Sequence, residues 1–239
     1  MRILITGGAS GLGEAITKKL ALDESITVYF TYNKSAEAAK RLEGEFNNTR
    51  GIKCDFKIQQ ELDDLVNKML DWDLDVLINN ALTSINQNYF HKTEAGVFME
   101  SFQNNIIPII KITQRAITIF RKNKFGKIIN ILTSNLINKP PISLSEYVAN
   151  KAYLASLSKS WAVENASFNI TSNCISPSFM QTKLTADTDQ RVIEDMVNRH
   201  PLKRLLTVDE VADAVRLLVS YSQHLNGVNL IINAASDVI

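Results

Sequence analysis

The chain has 239 residues, 45% of them apolar, which is enough for one sizeable α/β core. Lys plus Arg number 26 and Asp plus Glu 25, so no basic excess points to nucleic acid. No apolar run approaches a membrane span, and the three apolar residues that follow Arg2 are too few for a signal-peptide core, so a soluble cytoplasmic protein is expected. Cys54 and Cys174 form no Cys-x-x-Cys, and His91, His200 and His224 stand apart, so no metal is expected.

Short apolar runs alternate with longer amphipathic stretches. Residues 2–6 read as a strand, followed by glycines and a helix over 14–22. A strand over 26–32 precedes a helix over 36–47. Strand 51–55 precedes helix 61–70, and strand 75–79 precedes a helical stretch over 93–123 in two pieces. Strand 127–132 leads to a long helix over 144–167, then strand 170–175. Helices over 186–198 and 208–219 precede a last strand over 228–232. Ile, Leu and Val fill the strand runs with little alternation, the mark of a sheet covered on both faces. The expected fold is α/β: a single domain over 1–239, a Rossmann-type doubly wound parallel sheet of about seven strands with helices on both faces.

Four of the 9 glycines, Gly7, Gly8, Gly11 and Gly13, fall at the first strand-to-helix junction. Glycines there let the backbone approach a pyrophosphate and aim helix N–H groups at it. No Gly-Lys-Ser/Thr follows, so the loop is not a P-loop. The second strand ends in Thr31-Tyr32-Asn33-Lys34-Ser35, without the carboxylate that would favour NAD. Lys34 and its polar neighbours would suit a 2′-phosphate, so NADP(H) is expected over NAD(H).

Tyr147 and Lys151 stand one helical turn apart, on one side of the predicted helix. A cation beside a phenol favours phenolate, which makes the pair a plausible proton donor to a carbonyl. Ser134 lies 13 residues before Tyr147, where its hydroxyl could hold the reacting oxygen.

In order and spacing these segments resemble the short-chain dehydrogenase/reductase family along almost the whole chain. The resemblance is carried by TGGASGLG (6–13), CDF (54–56), DVLINNAL (75–82), NIIPIIKITQ (105–114), GKIINILTS (126–134) and YVANK (147–151). NITSNCISPSFMQT (169–182) and PLKRLLTVDEVADAVRLLV (201–219) complete it. The resemblance implies Tyr147 as acid/base, Lys151 as the cation that lowers its pKa, Ser134 as the carbonyl-orienting hydroxyl, and Asn105 as holder of a proton-feeding water. It puts Gly7, Ala9, Ser10, Gly11, Leu12 and Gly13 at the pyrophosphate and adenosine ribose. Asn33 and Lys34 fall near the adenosine 2′ position, and Asp55 and Phe56 flank adenine. Asn80, Ala81 and Leu82 line the ribose side, and Pro177, Met180 and Thr182 meet the carboxamide. Tyr147 and Lys151 also touch the cofactor.

Three departures replace family glycines: Leu82, Ser178, and Asn233-Ala234-Ala235. A leucine at 82 is expected to strain the backbone or narrow the cofactor site. The resemblance leans to 3-oxoacyl-(acyl-carrier-protein) reductases, with Arg121, Lys203 and Arg204 as candidate docking cations. A sugar, polyol or secondary-alcohol dehydrogenase is an alternative, because the predicted lid over 180–200 carries Asp187, Asp189, Arg191, Glu194, Asp195 and Arg199. A further alternative is a regulatory protein that binds the cofactor without turnover. The expected partners are a small carbonyl or alcohol substrate and further copies of the chain, in a dimer or homotetramer joined through the helices near 105–120 and 147–167. Leu154, Leu157, Trp161 and Val163 give the latter helix more apolar surface than one sheet face needs.

Overall fold

The computed structural model describes residues 1–239 except Asn138, Asp237 and Ile239. The strands are β1 (Arg2–Ile5), β2 (Thr27–Tyr32), β3 (Thr49–Lys53), β4 (Val76–Asn79), β5 (Gly126–Ile131), β6 (Ile170–Pro177) and β7 (Asn229–Ile232). All pair in parallel in one sheet of order β3-β2-β1-β4-β5-β6-β7. The helices are α1 (Gly11–Ala21), α2 (Ala36–Glu45), α3 (Gln59–Trp72), α4 (Ala95–Asn105), α5 (Ile107–Asn123), α6 (Ser145–Asn165), α7 (Gln190–Arg199) and α8 (Val208–Ser220). The expected elements are all present, with β3 displaced two residues towards the N-terminus from the predicted 51–55.

Both sheet faces are buried, so the period-two pattern is hidden in composition yet governs the packing. Ile3, Ile5, Val76, Ile78, Ile129 and Ile131 face one layer, with α1, α2 and α8. Leu4, Leu77 and Ile128 face the other, against α3 and α5. Ile106 and Ile109 meet Leu132, Leu154 and Cys174 in a third cluster beneath α6. These layers fix the strand ends from which the site is built.

Two features position functional residues. Pro108, near the start of α5, has no N–H for the carbonyl four residues back, so the helical stretch divides at Ile106. Asn105 thus ends α4 and is buried, while Asn104 makes its side-chain bond to Glu100 on the exposed side. The strand order reverses where β1 meets β4, the switch point at which open α/β sheets hold ligands. None of the helices among the described residues is long and apolar enough to cross a membrane.

Candidate active site

A cleft of about 880 Å³ runs along the carboxyl ends of the strands. The loop after β1 forms its floor. Gly7 takes φ +68°, and a Cβ on Gly13 would lie 2.0 Å from the Gly7 carbonyl oxygen, so neither position admits a side chain. Thr31 Oγ1 accepts from the Gly7 N–H at 2.9 Å, and Asn80 Nδ2 donates to the Thr6 and Gly7 carbonyls at 3.0 and 3.2 Å. Asn80 therefore braces the loop from beneath as well as lining the cleft. Ser10 caps α1 without a side-chain hydrogen bond, leaving the first helical N–H groups to the cleft.

Every residue named above for the cofactor lines this cleft: Gly7, Ala9, Ser10, Gly11, Leu12, Gly13, Asn33, Lys34, Asp55, Phe56, Asn80, Ala81, Leu82, Tyr147, Lys151, Pro177, Met180 and Thr182. Asp55 is held by its own turn, its Oδ1 accepting from the Lys57 N–H at 3.0 Å. Cys54 beneath it is buried, and desolvation with nearby carboxylates pushes its thiol up to about 12, so it is inert. The donor set fits a dinucleotide. A Gly-lined cradle meets an open helix N-terminus, and the buried Ser178 Oγ, beside Pro177 on the cleft wall, has no partner among the described residues.

Leu82 and Ser178 are absent from the residues with positive φ, so the expected strain at Leu82 does not occur. Leu82 does bring its bulk to the cleft wall. Strain lies instead in the third departure, where Ala234 and Ala235 take φ +51° and +59°.

The four expected catalytic residues divide. Tyr147 and Lys151 share the cleft. Lys151 is buried and donates to the Ile131 carbonyl at 2.7 Å, with Nζ 5.9 Å from the Tyr147 ring centroid. Burial lowers its ammonium to about 8, partly offset by the Cys174 thiol nearby. Tyr147 moves the other way from the expectation: burial raises its phenol, and a hydrogen bond with Thr133 pulls it partly back. Lys151, bound to a backbone carbonyl, does not contribute to that shift.

Ser134 is buried in the turn after β5 and does not line the cleft, whereas Thr133 does. Thr133 also accepts from the Asn135 N–H at 3.3 Å, which fixes its rotamer. The hydroxyl beside Tyr147 is thus one residue earlier than expected. Counting from Gly126 along the strand would have found it, because strand register is fixed by pairing and a loop length is not.

Asn105 lies behind Tyr147 and Lys151 on a small separate cavity of about 10 Å³. Its Oδ1 accepts from the Thr83 N–H and hydroxyl at 2.9 and 2.8 Å, and its Nδ2 donates to the Ser101 carbonyl and hydroxyl, both at 3.1 Å.

The charged lid residues Asp187, Asp189, Arg191, Glu194, Asp195 and Arg199 are exposed, and the cleft is met by Leu184, Thr185 and Thr188 instead. The polar lean that these charges suggested therefore loses its basis. The candidate docking cations are already engaged. Arg204 pairs with both Glu210 oxygens at 2.9 and 2.6 Å, and Lys203 donates to the Asn198 carbonyl at 2.6 Å. Arg121 donates to Asn165 at 2.8 Å near the start of β5, at the amino-terminal ends of the strands and so opposite the cleft.

The short chain dehydrogenase family profile matches residues 1–192. The 3-oxoacyl-[acyl-carrier-protein] reductase MabA of Mycobacterium tuberculosis is 28% identical over 221 residues, covering 91% of this chain and 85% of that protein. The L-fucose dehydrogenase of Mus musculus is 28% identical over 246 residues, covering 99% of this chain and 88% of that one. The structure of a variant of actinorhodin polyketide ketoreductase with NADPH superposes with a TM-score of 0.88 at 20% identity, covering 99% of this chain and 97% of that chain. The chain belongs to the short-chain dehydrogenase family and is an oxidoreductase.

Proposed function

We propose that the protein is an NADP(H)-dependent reductase of a carbonyl compound, of the 3-oxoacyl type. The observation that carries this reading is the meeting of Tyr147, Lys151 and Thr133 in the same cleft as the glycine cradle. MabA supports the substrate class, and the apolar and threonine-rich lining of the lid suits an acyl chain better than a charged substrate. Asn33 and Lys34 on the rim, with no acidic residue at the end of β2, support the 2′-phosphate.

When bound, the cofactor supplies the hydride. The chain's own residues handle the oxygen. Thr133 donates its hydroxyl to the carbonyl oxygen and holds it beside Tyr147. Tyr147 gives that oxygen its phenolic proton as the alcohol forms. The Lys151 ammonium, held by the Ile131 carbonyl 5.9 Å from the Tyr147 ring centroid, is a cation that faces the phenolate that remains. Asn105, fixed at both ends of its amide, holds the water side of the site in place. Gly7, Ala9, Ser10, Gly11, Leu12 and Gly13 bind the pyrophosphate end, and Ser178 Oγ offers a hydrogen bond near the carboxamide end.

Fluorescence titration with NADPH and NADH tests the cofactor, and acetoacetyl-CoA reduction tests the chemistry. Tighter NADPH binding and turnover abolished by Tyr147→Phe are expected. Tight NADPH binding with no Tyr147-dependent turnover would instead identify a regulatory protein. The L-fucose dehydrogenase relative favours one second reading, oxidation of a neutral sugar, which turnover with L-fucose and no turnover of acetoacetyl-CoA would establish.

The protein is further proposed to be cytoplasmic and to form a dimer or tetramer through α5 and α6. Leu154 is taken up by the core, while Tyr153 and Val163 remain 43% and 81% exposed on α6. Sedimentation showing a monomer alone at micromolar concentration would remove the assembly.

A further inference from the structure

The two long helices α5 and α6 are docked by different chemistry. α5 buries Ile109, Ile112, Ala116, Ile119 and Phe120, a mostly apolar face. α6, which carries Tyr147 and Lys151, buries Glu146, Lys151, Leu154, Ser158, Ala162 and Asn165, of which Leu154 is the one large apolar side chain. Apolar contact is non-directional, so it resists the sliding of a helix along its axis only weakly. A buried hydrogen bond is directional and costly to leave unmade. The axial position of α6 therefore depends on its polar contacts.

Those contacts form a polar seam across the buried sheet. Asn79 at the end of β4 donates to Asn130 Oδ1 of β5 at 2.9 Å and to Thr113 Oγ1 of α5 at 3.1 Å. Asn130 Nδ2 donates to Ser158 Oγ of α6 at 3.1 Å, and Ser158 Oγ meets Ser172 Oγ of β6 at 2.8 Å. Ser158 thus ties α6 to two neighbouring strands. The Cys174 thiol of β6 also bonds Ser158 and Asn130, and it lies near enough to the Lys151 ammonium to act on it. Asn79, Asn130, Ser158, Ser172 and Cys174 are at most 4% exposed. Ser158 follows Lys151 by about two turns on the same face of α6. The two residues grip adjacent positions of β5, since Lys151 donates to the Ile131 carbonyl and Ser158 accepts from Asn130. Thr133 lies three residues beyond Asn130 on the same stretch of chain. Lys151 faces the reaction, whereas Ser158 does not line the cleft.

We propose that Ser158 is a positioning residue of the active site: its hydroxyl, held between Asn130 and Ser172, fixes where α6 sits along β5 and so where Tyr147 and Lys151 stand relative to Thr133. The kinetic side of the proposal rests on the reductase reading. The groups that handle the oxygen come from two elements, Thr133 from the end of β5 and Tyr147 with Lys151 from α6. Their mutual distance is only as constant as the joint between those elements. A misplacement of about 1 Å arising far from the chemistry can cost about a hundredfold in rate. Ser158 prevents such a slip without touching cofactor or substrate, so its loss acts on the rate of the bound complex and not on binding.

Ser158→Thr and Ser158→Val match in shape and differ by the hydroxyl, so any overpacking is common to both. With acetoacetyl-CoA and NADPH, kcat of S158V is expected to lie about tenfold below that of S158T, with equal KM and equal NADPH affinity. Ser158→Ala adds no bulk and should show the same loss of kcat at unchanged KM. Ser172→Ala leaves the Asn130 bond in place and should cost less than S158A. Equal kcat in S158T and S158V overturns the proposal, and wild-type kcat in S158A does so even if both larger variants fail to fold. A second readout needs no substrate. Phenolate absorbance, taken as the difference between each protein and the same protein carrying Tyr147→Phe, follows the Tyr147 phenol alone. The Thr133 hydrogen bond pulls that phenol down against its burial, so in S158A it should titrate at higher pH than in the wild type. An unmoved titration overturns the proposal. A wild type that binds NADPH without turning over acetoacetyl-CoA counts against the reductase reading alone, and the phenol titration then decides the role of Ser158.

Discussion

The loop after β1 and the turn after β7 bend the backbone into the same left-handed region with different residues. Gly7 and Gly11 take φ +68° and +52°, and Ala234 and Ala235 take +51° and +59°. The first loop is hemmed in as well as bent: a Cβ on Gly7 would meet the Ala81 Cα at 3.1 Å, and one on Gly13 would meet the Gly7 carbonyl oxygen at 2.0 Å. The second turn is exposed at Ala234 and Ala235 and held by Asn233, whose Oδ1 accepts from the Ala235 N–H at 3.1 Å. Where backbone must approach backbone, only glycine serves. Where only the dihedral is unusual, alanine is tolerated at about 1–2 kcal/mol per residue. The glycine losses in this chain thus fall where space allows a side chain.

The hardest test of that contrast is Gly13→Ala. The added methyl meets a backbone oxygen that no rotamer change can move. A loss of about 3 kcal/mol of stability is expected by denaturant unfolding. NADPH affinity should fall about a hundredfold by fluorescence titration. A variant that binds NADPH like the wild type would show that the loop opens freely and that close approach does not explain its glycines.

A third turn, after β5, sharpens the contrast because side-chain chemistry rather than backbone geometry selects its residues. Thr133→Val preserves shape and removes the hydroxyl beside Tyr147, so kcat for acetoacetyl-CoA should fall about a hundredfold. Ser134→Ala, off the cleft, should change kcat less than about twofold. The reverse order of effects would return the role to Ser134.

That single-residue difference also marks how far the sequence could be read. The strands and the glycine-lined rim of the cleft were legible because glycine positions and buried runs are tied to pairing and packing. Thr133 was not, because its place was measured back from Tyr147 rather than forward from β5, and the length of a connection is not fixed by strand pairing. Measured from β5 it is unambiguous, since the Leu132 N–H donates to the Ile175 carbonyl at 2.7 Å and Thr133 follows at once. The bond from the Ser101 hydroxyl of α4 to the buried Glu146 of α6 was equally hidden, since it depends on how the two helices pack. The charged lid misled in the opposite sense: charge was visible in sequence, but its outward direction was not.

Lys151 gives the pH counterpart. Burial lowers its ammonium from the usual 10.5 to about 8, so reduction should lose about a decade in rate per pH unit above about 8. The stability sign is the reverse. Between about 8 and 10.5 the unfolded chain holds the extra proton, so this group's contribution to stability rises with pH and its burial cost is greatest below about 8. A rate flat to pH 10 would mean that the ammonium is held by a stronger partner than the Ile131 carbonyl.

The smallest effect comes from the turn after β7. Ala234→Gly and Ala235→Gly each relieve a left-handed alanine, but each also frees the unfolded chain, which returns part of the gain. A net stabilisation of about 0.5–1 kcal/mol per site is expected, or roughly 2–8 °C in Tm for the pair in a chain of this size. NADPH affinity should stay unchanged, because neither residue lines the cleft. A gain in stability at Ala234 with no change at Gly13→Ala would invert the comparison. It would mean that dihedral preference, and not space, decides where this chain keeps its glycines.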